Sequence, residues 1–452
     1  VALLEQLAPL LAAIQNDRLV ILCGAGLSRS EPSKVPAARE LATVCARRFS
    51  QSTGLAAPEG AEVNLEALAA YFYGDNDYWR LFLEKLIDWG PFLWHPNSGH
   101  LAIADLLCCG ALRFALTTNL DVLIEEAAKE LGEHDFRASL DGEAMRRPHK
   151  HRSMLKLHGC ARIDRDATLW CKTQFDNNNG QQRVRERLET ATNWLRENLR
   201  DSHLLVVGFW SDWPHLNDAL SRAIEGNLPA SITLVDILDD RELREKAPGL
   251  WEIAERLGPS FRRIPESGAA FLNELRRQFS IRFFECVLAA AAETYRAMNG
   301  VIPPAERRDA LPDELSADEL YDLRRDISGV APMDVVREGQ PRDHMRGAAA
   351  THLLVQERGG RFSGPRYVVA DQVIVRIVNG ASDSFHRVRA RFARNQPASP
   401  LGEVVICVGT ADDGGAPSDI VRESSGEPAS IVRGTGQTEW LSFNQARERG
   451  LC

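Results

Sequence analysis

Five short apolar runs recur through the first half of the chain, and each stops abruptly at a glycine or a polar turn. They are residues 18–23 (RLVILC) before Gly24, 113–117 (RFALT) before Thr118, 154–157 (MLKL) before His158, 203–207 (HLLVV) before Gly208 and 232–235 (ITLV) before Asp236. Continuous runs of this length, rich in Val, Ile and Leu, read as strands buried on both faces. Helical patterns separate them, and strands alternating with helices predict a Rossmann-like parallel α/β sheet with helical insertions. Ligands in such sheets bind beyond the carboxyl ends of the strands, so the residues just after each run are where chemistry is to be sought.

The intervening helices differ in character. Residues 3–15 read as a first helix. Residues 39–89, rich in Leu, Ala and aromatic side chains, read as a lid or small helical module. Residues 182–200 form a charged helix with apolar positions at Val184, Leu188, Ala191 and Leu195. Beyond residue 261 a long helical pattern, 268–298, leads into a proline-rich break at 301–306. A domain boundary near residue 280 therefore divides a catalytic domain, 1–279, from a C-terminal regulatory or interaction domain, 280–452. The second domain reads as mixed α/β with more strand than helix: strands at 352–355, 367–378 and 404–408, with a Gly/Asp/Pro loop at 411–418.

Composition narrows the function classes. At 452 residues and 44% hydrophobic content the chain has ample material for buried cores, and two domains are the natural expectation. A net charge of -9 argues against a general affinity for nucleic acid or anionic membrane. The opening segment has no basic region before its apolar residues, so it does not read as a signal peptide, and no stretch approaches the length of a membrane span. The nine cysteines contain no C-x-x-C pair, which suits a reducing compartment, and a cytoplasmic protein is expected.

Five motifs sit at the strand ends. Gly24-Ala25-Gly26-Leu27-Ser28 follows the first run, where missing side chains let the backbone approach a pyrophosphate; as a bare G-x-G it is equally a tight connection. Thr117-Thr118-Asn119-Leu120-Asp121 puts an amide and a carboxylate at alternate positions able to face one ligand, or else caps the helix at 122–130. Leu157-His158-Gly159 delivers an imidazole to the same edge. Gly208-Phe209-Trp210-Ser211-Asp212 follows the fourth run, and Asp236 follows the fifth, in a position able to hold ribose hydroxyls.

In this order and spacing the motifs resemble the sirtuin superfamily: GAGLS is similar to its G-A-G-x-S loop, TTNLD to its T-x-N-x-D, and LHG to its His-Gly. Pro96-Asn97-Ser98-Gly99-His100-Leu101 is similar to the family's proline-to-histidine helix start, and VVGFWSDW to a G-x-S segment of bacterial sirtuin-like proteins. The resemblance covers about residues 17–264. It implies that Gly24, Ala25, Gly26 and Ser28 meet the phosphates and ribose of NAD⁺. It also implies that Thr118 and Asn119 line the ribose or the attacking water, that Asp121 binds the nicotinamide carboxamide, and that Gly208 and Ser211 face the adenosine half. His158 would be the base. Glycosidic cleavage passes through an oxocarbenium-like state, which needs a held leaving group, a polar group near C1′ and a proton acceptor; neutral imidazole serves as that acceptor near pH 7.

Departures from the pattern point to a branch. Protein-deacylating sirtuins usually hold zinc through two cysteine pairs after the His-Gly, whereas here only Cys160 and Cys171 lie between His158 and Cys286, so no zinc is expected. The linker 173–200 becomes a charged helix with no acyl-lysine pairing motif. The expected activity is therefore NAD⁺ hydrolysis to nicotinamide and ADP-ribose. The resemblance then implies a bacterial anti-phage effector, a homo-oligomer controlled by a DNA-translocase-type ATPase or by an Argonaute-like partner. The alternatives are an NAD-dependent deacylase and a non-enzymatic nucleotide-sensing subunit. Two basic segments are weighed for nucleic acid: 146–152 reads as a solvated loop, and the alternating Arg387, Arg389 and Arg391 would share one face of a strand.

Overall fold

The computed structural model describes residues 2–175, 181–226, 230–303, 314–329, 343–369, 372–394, 402–411 and 438–452. Residues 304–306 of the proline-rich break and 412–418 of the C-terminal loop lie outside the described residues. The chain divides into two compact units, Val1–Leu275 and Arg276–Cys452.

The first unit runs α1 (Ala2–Gln15), β1 (Leu19–Cys23), α2 (Ala38–Thr53), α3 (Leu65–Tyr73), α4 (Asn76–Leu81), α5 (Ser98–Cys108), β2 (Phe114–Thr117), α6 (Leu123–Glu130), α7 (Gly142–Arg146) and β3 (Met154–Lys156). It continues with α8 (Gln182–Asn198), β4 (His203–Val207), α9 (Pro214–Glu225), β5 (Ser231–Val235), α10 (Asp240–Lys246), α11 (Pro248–Arg256) and β6 (Phe261–Ile264), and ends in α12 (Gly268–Asn299), within which the division falls. All six strands are parallel in the order β3-β2-β1-β4-β5-β6, the order of a Rossmann sheet. The expected Rossmann-like sheet with helical insertions is thus the observed fold. The sixth strand carries two arginines and a half-exposed phenylalanine, so its edge position gives it no continuous apolar run to read from sequence.

Register aligns the strand ends. Lys156 pairs with Thr117, Thr117 with Cys23, Cys23 with Val207, Val207 with Val235 and Val235 with Ile264. Every motif named above therefore leaves the sheet at one level and on one edge. On one face Val20, Leu22, Leu116, Leu155, Val206 and Leu234 pack against apolar side chains of α8, α9 and α11. The segment 39–89 forms α2, α3, α4 and short turns around its own core, with Phe49, Phe72 and Phe82 buried and Leu120, Leu123, Ala161 and Trp170 completing it.

The second unit contains the rest of α12, α13 (Ala317–Ser328), α14 (Asp343–Glu357), β7 (Arg361–Ser363), β8 (Arg366–Val368), β9 (Ile374–Asn379), α15 (Phe385–Arg394), β10 (Glu403–Val408), β11 (Glu439–Ser442) and α16 (Phe443–Glu448). Its sheet runs β11-β10-β9-β8-β7, with β9, β10 and β11 parallel and β8 antiparallel to both neighbours. Strand β10 is buried on both faces: Val404, Ile406 and Val408 meet α13 and α14, while Val405 and Cys407 meet Val388 and Phe392 of α15. The guanidinium of Arg376 donates to both carboxylate oxygens of Asp326 at 2.7 and 2.5 Å in this interior.

Four expectations for this unit are corrected. Residues 352–355 lie inside α14, because the apolar run His352-Leu353-Leu354-Val355 belongs to a longer buried helix face with Met345, Ala348 and Ala349. Within 367–378 the described residues form two antiparallel strands, β8 and β9, rather than one. Residues 387–392 are helical: Val388 and Phe392, four residues apart, are the pair that buries, so the arginines do not share a strand face. Among the described residues helix outweighs strand in this unit, the reverse of the expectation. No helix of the described residues is long and apolar enough to cross a membrane.

Candidate functional site

The turn after β1 is shaped by backbone contact rather than by space left open. A Cβ on Gly24 would meet the Gly208 carbonyl at 2.8 Å, and one on Gly26 would meet Gly208 Cα at the same distance. Gly208 itself has φ +60°, and a Cβ there would lie 2.4 Å from the Leu27 nitrogen. The Gly26 amide donates to the Gly208 carbonyl at 2.9 Å and the Gly24 amide to Val207 at 3.1 Å. These two amides are committed to holding β1 and β4 loops together, whereas Ala25, exposed between them, keeps its amide clear of the turn's hydrogen bonds.

Ser28, fully buried, is the junction of the polar groups. Its hydroxyl donates to Asp121 Oδ2 at 2.8 Å and accepts from Asn119 Nδ2 at 3.0 Å, and His100 Nε2 lies 3.1 Å away. The second Nδ2 proton of Asn119 goes to the Gly24 carbonyl at 3.2 Å. Both amide protons are thereby used, and Asn119 Oδ1 is the end left for a ligand. Asp121 Oδ1 accepts from the Leu123 amide at 3.2 Å, so this carboxylate both caps α6 and joins the network. Thr118, nearly buried, donates its amide to the Cys23 carbonyl and lines a small cavity with Leu157, Leu188, Thr192, Trp213 and His215.

Beneath the network lies a buried charge pair. Lys156 on β3 is 1% exposed; its ammonium bonds the Asp121 carbonyl and Glu125 Oε1, the latter at 3.0 Å. Burial disfavours the ammonium, but the Glu125 carboxylate, aided by Cys160 and Asp121, holds its pKa above the ordinary lysine value. Lys156 thus ties the start of α6 to the sheet at the level of Asn119.

His158 leaves β3 beside Asn119, yet no hydrogen bond links it to the Ser28 network. Its ring stacks on Trp213, with centroids 4.1 Å apart and planes 31° apart, and its Nε2 is buried without a hydrogen-bond partner. Trp213 in turn meets His215 and Phe175. Burial, with the charges of Arg187 and His215 adding to it, pushes the His158 imidazole down to about 3. Arg187 comes from the charged helix α8 and pairs with Asp164 at 3.2 Å.

The remaining predicted positions are looser. Ser211 is half-buried on the loop between β4 and α9, while its neighbour Asp212 accepts from the Gly249, Leu250 and Asn217 nitrogens and so caps α11. Asp236 is half-buried at the end of β5, its Oδ1 taken by the Leu238 amide at 2.9 Å. Sequence reasoning takes His100 only as part of a helix start, places Trp213 among the tryptophans packing the helical module and pocket wall, and assigns Lys156 and Arg187 no part in the site; a lysine inside the run MLKL is the one sequence signal that stands out, since a strand buried on both faces has no place for an unpaired ammonium. Among the described residues no three His, Cys, Asp or Glu side chains gather as a metal-ligating group.

Residues 113–253 match the family model described as a SIR2-like domain. Comparison with curated proteins gives no match. Among solved structures, the chain is similar to a Sir2 homologue in complex with NAD at 16% identity and TM-score 0.34, covering 60% of this chain and 93% of that one. A Sir2 bound to acetylated peptide gives 15% identity and TM-score 0.34, covering 60% and 97%.

Removing one half of the Lys156–Glu125 pair strands the other charge in the core. Lys156→Ala is expected to destabilise the first unit by roughly 3–5 kcal/mol, measured by denaturant unfolding. Lys156→Met with Glu125→Leu should recover most of that loss; equal instability of the single and double variants would show that the pair is not what holds the α6 start.

Proposed function

We propose that the chain is an NAD⁺ glycohydrolase that releases nicotinamide and ADP-ribose, held closed until a partner or an oligomeric state opens it. The observation that supports this most is the orientation of Asn119: with both amide protons taken by Gly24 and Ser28, Oδ1 is the end left for a ligand. A carbonyl oxygen in that place accepts a hydrogen bond from a water or ribose hydroxyl and so turns that oxygen's lone pair toward C1′. Asp121, anchored by Ser28 and Leu123, holds the leaving amide; the exposed Ala25 amide meets phosphate; and Asp236 lies at the ribose end of the sheet.

The reaction breaks the C1′–N bond, whose electron pair leaves with the nicotinamide, and forms a bond from water oxygen to C1′, the water proton passing to His158. Asn119 and His158 each come two residues after Thr117 and Lys156, the last paired residues of the neighbouring strands β2 and β3, which supports a role for both at one ribose. Trp213 over His158 supplies the closed state: the base is shielded until that ring moves. An effector role in bacterial anti-phage defence, with a translocase-type ATPase or an Argonaute-like partner as opener, follows from the resemblance to sirtuin-like NADases and from the harm that unregulated NAD⁺ loss would do.

Etheno-NAD⁺ fluorescence and nicotinamide chromatography test the reading, with the protein alone and with the product of the neighbouring gene. Wild type should release nicotinamide under at least one condition, and Asn119→Ala and His158→Ala should each lower turnover by about 100-fold or more. Release from neither mixture rejects the hydrolase; turnover of an acylated peptide to O-acyl-ADP-ribose would reassign the same residues to deacylation.

Opening the aromatic cover has a pH signature. His158 serves as base only when neutral, and with its pKa near 3 the closed protein shows no loss of kcat/KM from this group between pH 8 and pH 5. Trp213→Ala readmits water, removes the burial that depresses the imidazole and returns its pKa toward about 6.5. The variant should therefore release nicotinamide several-fold faster than wild type at pH 8 and lose activity as pH falls through about 6.5. A Trp213→Ala protein no faster than wild type would remove Trp213 as the cover.

A further inference from the structure

His100 is the one fully buried member of the Ser28 junction that the proposed chemistry leaves without a task. It occupies the third position of α5, whose start is locked to the β1 loop: Asn97 Nδ2 donates to the Leu27 carbonyl at 2.8 Å, and Asn97 Oδ1 accepts from the Gly99 and His100 amides at 3.0 and 3.2 Å. A Cβ on Gly99 would meet Leu27 Cδ1 at 2.5 Å, so the helix start and the loop are in close contact.

The protonation of the ring follows from its partners. The Asn97 backbone amide donates to His100 Nδ1 at 3.1 Å, so Nδ1 carries no proton. The neutral ring then bears its proton on Nε2, which lies 3.1 Å from Ser28 Oγ and donates to it. A serine hydroxyl has one proton and two lone pairs. With His100 and Asn119 filling the lone pairs, its proton has one place to go, Asp121 Oδ2 at 2.8 Å.

We infer that His100 is a positioning residue of the site: as a fixed Nε2–H donor it sets the direction of the Ser28 hydroxyl, and through it the orientation of the Asn119 amide and the Asp121 carboxylate. It touches no reacting atom. Without its donor the Ser28 proton is free to turn toward Asn119, the amide loses a reason to present Oδ1 outward, and the carboxylate loses a hydrogen bond to its charged form. Burial lowers the imidazole to about 4, with Asp121 opposing and Lys156 assisting, which keeps the ring neutral, and a neutral ring donates only from Nε2. The inference rests on the NAD⁺-cleaving reading for its kinetic consequence and on the hydrogen-bond geometry alone for its tautomer.

Three proteins test it: wild type, His100→Leu, which removes the donor, and His100→Gln, whose side-chain amide reaches the place of ring Nε2. Under the conditions in which wild type releases nicotinamide, His100→Leu should lower kcat by about 10- to 100-fold with KM within about threefold, and His100→Gln should recover to within roughly fivefold of wild type. Imidazole ¹⁵N NMR of wild type should show the Nε2–H tautomer, unchanged from pH 8 to 5.5. An Nδ1–H tautomer, a His100→Leu protein that turns over like wild type, or a His100→Gln protein as impaired as His100→Leu would each overturn the role of His100 while leaving NAD⁺ cleavage standing. Absence of nicotinamide release from wild type under every condition overturns the kinetic role together with the proposed activity.

Discussion

The contact between Gly26 and Gly208 is the constraint from which the rest of the site is built. Two backbone segments that leave adjacent parallel strands approach so closely that a Cβ on either would collide with the other's main chain. This closeness fixes the path of the β1 loop, drives Ser28 into the interior and leaves Ala25 as the exposed amide of the turn. A glycine-rich loop is usually read as room for a phosphate. Here the glycines first make room for another strand's backbone, and the exposed amide of Ala25 is a consequence of that packing.

Burying Ser28, Asn119, Asp121, His100, Lys156 and Glu125 together would be costly if any one lacked a partner, since an unsatisfied buried polar group costs on the order of 1–3 kcal/mol and a charge more. The network meets that demand almost completely. Each amide proton of Asn119, each hydrogen-bonding site of Ser28 and both ring nitrogens of His100 have partners. The Asn119 Oδ1 atom is the exception, and a network that is satisfied everywhere but at one oxygen presents that oxygen rigidly. Preorganisation of this kind is what electrostatic catalysis requires: the dipole is aimed before the ligand arrives, so no reorganisation is needed in the transition state.

Much of this was legible in the sequence because the first unit obeys simple rules. Runs such as RLVILC and HLLVV are buried on both faces, and their abrupt ends mark the sheet edge where Asn119 and His158 emerge. The sixth strand, FRRI, escaped because an edge strand needs no continuous apolar run. In the second unit the same rules misled: a short apolar stretch at 352–355 looks identical in a strand and in a buried helix, and the alternation Arg387-Val388-Arg389 was outweighed by the four-residue spacing of Val388 and Phe392. What sequence could not supply was direction. Nothing in TTNLD says which end of the Asn119 amide faces out, and nothing in LHG says that the imidazole lies under Trp213, because the first depends on partners 91 and 95 residues away and the second on one 55 residues away.

The two halves of the site are prepared to different degrees, and the difference bears on control. The Ser28 network is complete but for Asn119 Oδ1, whereas the His158 imidazole is engaged by a ring and its Nε2 by no hydrogen bond. An aromatic stack is worth roughly 0.5–1.5 kcal/mol beyond the area it buries, and about 1.4 kcal/mol corresponds to a tenfold population ratio. Under the proposed reading the Trp213 stack would add, beyond the area it buries, about one order of magnitude to a closed state. Silence deeper than that needs the ring to be held from behind, and Phe175 and His215, which meet Trp213 and each other, are placed to do so. In the proposed reading such a cover would resist thermal opening through several modest contacts, and a partner that displaces the loop before α9 would release it. A hydrogen-bonded lid on His158 would be harder to open, since breaking it would leave buried polar groups unsatisfied; an apolar ring can leave at the cost of exposing its own surface.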